Sequence, residues 1–139
     1  MEVTERHIER IPRGNLRVPR AQFAAVWRAA EQRNQDNVLD WYAGAVVVTC
    51  RWLAGTIVPS CNGRYYLAHS PITRRTVKAY EELIEAETLA ADNLALRWPG
   101  LLTSRPGWCE GIHNTLVWAW RHEGPPPVTE PGAVEPSTV

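Results

Sequence analysis

The chain has 139 residues, 45% of them hydrophobic and 22% charged, and its 15 basic and 15 acidic side chains leave a formal net charge of zero. That length suits one domain with one ordinary core, and the balanced charge disfavours a whole-surface electrostatic grip on nucleic acid or on an anionic membrane. Cys50, Cys61 and Cys109 are odd in number and widely spaced, and no apolar signal core follows the opening MEVTERHIERIPRG, so a reducing cytoplasm with free thiols is expected.

Lys78 is the only lysine beside abundant Arg, Ala, Trp and Pro, which reads as the coding bias of a G+C-rich bacterial genome rather than as a functional signal. Residues 1–18 read as an arm. Arg6, Arg10, Arg13 and Arg17 recur at helical spacing, but Pro12 and Gly14 break a helix through them. Ile8, Ile11, Leu16 and Val18 can pin the arm to the core.

A first helix is expected over 19–33, opened by Pro19, with Phe23, Val26, Trp27 and Ala30 on its buried stripe and Gln22, Arg28, Glu31 and Gln32 on its wet face. A second is expected over 38–58, capped by Asp36 or Asn37. It is apolar nearly all round, which marks the central helix. Only Asp40, Gly44, Arg51 and Gly55 form a narrow polar or small strip, and the two glycines would let another backbone approach. The valine run 46–48 makes a strand the main alternative. The apolar stretch 43–58 is shorter than the roughly 20 residues of a membrane span and carries Arg51 near its middle, which argues for burial in protein instead. Asn62-Gly63 signals a turn, so 56–60 and 64–68 can pair as a small hairpin.

A third helix is expected over 71–97, with Ser70 as cap and Ile72, Val77, Tyr80, Leu83, Ile84, Leu89, Leu94 and Trp98 toward the core. A fourth should start near Ser104 or Pro106 and close at Gly124-Pro125, with Trp108, Ile112, Leu116 and Ala119 on one stripe. The fold class that follows is all-α: a four-helix bundle-like single domain over 19–123, with room for a β-hairpin between the second and third helices. The proline-rich residues 124–139 read as a disordered tail.

Three constellations could carry chemistry. Glu110 and His113 stand in a Glu-x-x-His pattern, the ligand pair of di-metal carboxylate bundles, and Glu81, Glu82, Glu85 and Glu87 could supply partners from the third helix. The full motif needs a second pair, which this chain lacks. Cys109 and His113, with Cys61 and His69, offer a zinc alternative without the tight Cys pairs of structural zinc sites. Cys109 near a helix start, with His113 as base, would make a thiol nucleophile, but no oxyanion signature accompanies it.

Arg74, Arg75 and Lys78 would oppose the dipole of the third helix, a local rule-breaking that can mark an anion or an acidic partner, although a solvated charged face with the acids that follow at Glu81, Glu82 and Glu85 accounts for it more simply. Seven tryptophans are the compositional outlier. Trp27, Trp41, Trp52, Trp98 and Trp108 fit core stripes, whereas Trp118 and Trp120 cannot both face inward. One of that pair should reach the rim, where Trp and Arg are favoured interface anchors.

The leading expectation is therefore a non-enzymatic protein-interaction module without a cofactor, a small accessory, regulatory or inhibitory protein that self-associates as a homodimer or binds another protein. Its candidate contact residues are Arg74, Arg75, Trp118 and Trp120. The alternative is a di-metal or zinc protein or enzyme using Glu110 and His113, and a third reading is a nucleic-acid-binding regulator using the arginine arm.

Overall fold

The computed structural model describes residues 1–129. It is mostly helical with one small antiparallel hairpin: α1 (Glu5–Glu9), a 3-10 turn (Arg13–Asn15), α2 (Arg20–Asp36), α3 (Trp41–Leu53), β1 (Ile57–Pro59), β2 (Tyr65–Leu67), α4 (Glu81–Arg97), α5 (Gly100–Ser104) and α6 (Trp108–Ala119). Among the described residues no helix is long and apolar enough to cross a membrane.

α3 lies at the centre, packed on α2 and on α6, and α4 packs on the other side of α6. The α3–α6 contact depends on Gly111, where an added Cβ would stand 2.7 Å from both the Cβ of Ala45 and the carbonyl oxygen of Tyr42. The close approach thus uses Gly111 rather than the expected Gly44, which faces the Asn34 side chain at an ordinary 3.4 Å. α3 is also shorter than expected. Gly55, at φ +66, turns the chain out of the helix, and residues 57–59 become the first strand of the hairpin. Ile57 pairs with Leu67, Val58 with Tyr66 and Pro59 with Tyr65 around the Asn62-Gly63 turn.

The arm is part of the core. Val3, Ile8, Ile11 and Val18 are buried. Asn15 is buried too, and its amide donates to the carbonyls of Leu53 (2.8 Å) and Ala79 (3.0 Å), so the arm satisfies the end of α3. Glu31, expected on the wet face of α2, is instead buried: it accepts from Trp27 Nε1 (3.0 Å) and takes both Nε and Nη2 of Arg51 (2.8 and 2.7 Å). A buried carboxylate needs such a partner set. Beyond α6 the chain folds back, with Val128 buried and the carbonyl of Pro127 accepting from Tyr42 Oη at 2.7 Å. Of the expected disordered tail, 130–139 lies outside the described residues.

The third helix departs most from expectation. It starts at Glu81, not Pro71. Residues 70–75 form a closed loop instead: Ser70 Oγ accepts from the Arg75 backbone at 2.7 Å, and the Ser70 carbonyl accepts from Arg74 at 3.1 Å. Glu87, only 2% exposed on α4, ties this loop down by accepting from the backbone of Ile72 (2.9 Å) and Thr73 (3.2 Å) and from the Thr73 hydroxyl. Arg74 sits in the left-handed region at φ 59, which no helix tolerates. The dipole conflict noted at Arg74, Arg75 and Lys78 disappears with the shift, because the helix now opens on Glu81 and Glu82, which favour its positive end. The buried stripe of α4 moves accordingly to Ile84, Glu87, Thr88, Ala91 and Leu94, and Val77, Tyr80, Leu89 and Trp98 are exposed.

Candidate functional site

The tryptophans divide differently from the helical stripes. Trp118 is buried (4% exposed) and stacks on Phe23, with ring centroids 6.4 Å apart and planes at 9°. Of the Trp118–Trp120 pair, Trp120 is the one at the rim, but it is held there. Its Nε1 donates to Glu85 at 2.6 Å, and the Arg17 guanidinium lies 4.1 Å over its ring. Trp98 (61% exposed) and Trp41 (37%), which fit core stripes by spacing, face outward, and Trp108 is only half-buried.

Three of these exposed features meet in one place. A groove between the loop 70–75, the end of α4, α5 and the start of α6 is lined by Ile72, Arg74, Leu94, Trp98, Arg105 and Trp108. Trp41, at the start of α3, meets Trp108 edge-on at 6.0 Å and 85°. Arg105 leans over both rings, 5.3 Å from the Trp41 centroid and 5.5 Å from that of Trp108. The arginine is thereby pre-oriented by aromatic faces, a contact that costs little rotamer entropy to keep. The groove continues past Pro71, Arg74 and Trp108 into a smaller cleft against the hairpin. Neither part is lined by an aspartate or a glutamate.

This geometry rests on local sequence choices. Gly107 at φ +91 begins α6 and sets Trp108 at its first position. Asp40 caps α3, accepting from Ala43 at 3.0 Å, and places Trp41 at that helix start. Arg74 reaches the groove because the loop that carries it is bound to Glu87. Of the residues singled out by sequence, Arg74 lines the groove. Arg75 is exposed but is not among the residues lining it.

Glu110 and His113 do not converge. Glu110 is exposed, whereas His113 Nε2 pairs with Asp92 Oδ1 on α4 at 2.9 Å. Asp92 also receives both Nη1 (3.0 Å) and Nη2 (2.7 Å) of Arg121. Those bonds from Arg121, then from His113, hold the Asp92 carboxyl down at about 2. Among the described residues no group of three His, Cys, Asp or Glu side chains is placed to hold a metal. Cys50 and Cys109 are buried, and burial pushes both thiols up, away from nucleophilic character; Cys61 is exposed. In the arginine arm, Arg17 and the following Arg20 are spent on internal contacts, Arg17 to the Gly14 carbonyl and Arg20 to that of Ile11, both at 2.9 Å.

The chain matches no family model, no curated protein and no solved structure.

Sequence reasoning missed Trp41, Trp98, Trp108 and Arg105 as a group. The signal available was the break Trp98-Pro99-Gly100: a tryptophan at the frayed end of a helix has less core to enter than one in mid-helix.

Proposed function

We propose that this chain is a non-enzymatic protein-interaction module, built on a four-helix bundle and working in a reducing cytoplasm, whose docking surface is the Trp98–Trp108 groove. The observation that carries this reading is the convergence of exposed Trp98 and half-buried Trp108 and Ile72 with two cations, Arg74 and Arg105, and no acid. Trp and Arg in a desolvatable groove are the composition of interface hot spots. The cations select the partner, favouring an amphipathic segment of another protein that carries apolar anchors and carboxylates.

A two-fold contact of this face with itself is disfavoured. It would bring the Arg74 and Arg105 side chains of two copies toward each other in a partly desolvated space, and like charges there are costly.

A displayed library of random 16-residue peptides tests the proposal. Selection on the full chain should recover segments that combine Asp or Glu with bulky apolar residues. Their binding should fall about tenfold or more with Trp98→Ala or Arg105→Ala, the ordinary effect of removing a hot-spot anchor. No binders, or binders indifferent to both substitutions, would overturn it. So would a chain that sediments as a dimer and becomes monomeric with Trp98→Ala, since the occupant would then be a second copy.

A further inference from the structure

The hairpin end of the groove has a chemistry of its own. The cleft there has a volume of about 120 Å³, and Val48 from α3, Val58 from β1 and the Trp108 indole form its apolar surfaces. Its polar side chains are Arg51, His69, Arg74, Tyr66 and Ser70, and the Ser70 hydroxyl is already bonded to the Arg75 backbone and to Thr73.

Arg51, His69 and Arg74 are each positioned by neighbouring groups. Arg51 gives two of its five N–H groups to Glu31 and keeps Nη1 without a protein acceptor among the described residues. His69 is stacked against Tyr66, with centroids 5.7 Å apart at 20°, and its Nδ1 is buried with no partner. Arg74 stands on the loop that Ser70 and Glu87 close, in a left-handed backbone state that a non-glycine residue adopts only when its surroundings impose it. Its guanidinium has no hydrogen-bond or ion-pair partner among the described residues.

The cleft thus offers an apolar bed beside two guanidinium groups, and no carboxylate lines it. A hydrated inorganic anion gains nothing from the bed, and a neutral hydrocarbon gains nothing from the donors. A small acid with a flat or branched apolar body uses both. We propose that this cleft is a binding site for small organic carboxylates, the body lying against Val48, Val58 and Trp108 and the carboxylate accepting from Arg74 at the rim, with Arg51 adding positive potential. Its volume is below the roughly 300–1,000 Å³ of drug-sized sites, which restricts it to one ring or a short branched chain. The site stands whether or not the neighbouring groove binds a protein.

The test is titration of the full chain with benzoate, phenylacetate and isovalerate at low salt, followed by tryptophan fluorescence and by NMR shifts of the Trp108 indole. Benzamide supplies the neutral shape and inorganic phosphate the bare anion. At least one acid should bind about tenfold or more tightly than benzamide and phosphate, the worth of a charge-assisted hydrogen bond in a partly apolar site. Arg74→Gly should weaken that acid by a similar factor. This variant removes the guanidinium while relieving the positive-φ strain, so a misfolded protein would not explain the loss. Arg75→Ala, next in the chain but outside the cleft, should change nothing. Equal binding of acid and amide, an Arg74→Gly protein that binds as wild type, or no acid binding at all would each overturn the proposal.

Discussion

Replacing Glu87 tests whether one buried carboxylate on α4 decides the shape of the loop that carries Arg74. Glu87 accepts two backbone N–H groups and a hydroxyl from residues 72 and 73. Glu87→Ala removes all three acceptor contacts and leaves a cavity. Hydrogen bonds to a charged group are worth about 1.5–3 kcal/mol each, but they are not additive, and water reaches donors that the loop can swing outward. A net loss of about 2–5 kcal/mol follows, the range for a buried large-to-small truncation that also leaves buried donors without partners. Glu87→Gln keeps the shape and one oxygen, but turns an NH2 toward a donor, for a loss of about 1–3 kcal/mol. Urea unfolding by circular dichroism measures both, with exposed Leu89→Ala on the same helix as the control for helix propensity. Amide exchange at Ile72 and Thr73 should accelerate in the Glu87 variants, and the Arg74 backbone should lose its positive φ. If Glu87→Ala costs no more than about 0.5 kcal/mol beyond Leu89→Ala, the level of an ordinary surface change, or if exchange at 72 and 73 is unchanged, the loop is held by something other than this carboxylate.

The division of the tryptophans is testable through stability. Trp118→Ala should cost about 3–5 kcal/mol, as for other large aromatic truncations in cores, whereas Trp98→Ala should stay within about 0.5 kcal/mol, as for an exposed site. Thermal melts of the two variants side by side decide it, and equal costs would refute the placement. The Asp92 cluster predicts an acid limb. The carboxyl is depressed in the folded state, so its contribution is present above the unfolded pKa of about 3.9 and is lost as pH falls toward about 2. Stability measured from pH 6 to pH 2 should fall less steeply below pH 4 in Asp92→Asn than in wild type; superimposable slopes would show that Asp92 gains nothing from Arg121 and His113.

What the sequence determined by itself is the set of helices whose apolar spacing is unambiguous. Phe23, Val26, Trp27 and Ala30 recur at helical spacing and are all buried, and Ile112, Leu116 and Ala119 do the same on α6. The hairpin was legible from Asn62-Gly63, because a turn needing positive φ states its requirement locally. Where burial involved charge, periodicity failed. Glu31 and Glu87 carry the composition of a wet face, yet one is buried against Arg51 and the other against loop amides. Both partners lie far away in the chain, so no local pattern encodes them. The same reason hides the groove. Trp98 and Trp108 have the spacing of core residues, yet Trp98 is the C-cap of α4 and Trp108 opens α6, so both border the groove beside Arg105 and the loop that carries Arg74. Conversely, Trp118 looked available for the rim until α6 was set against Phe23. A helical period specifies which residues share a face; which face meets a neighbour is fixed only when the neighbours pack.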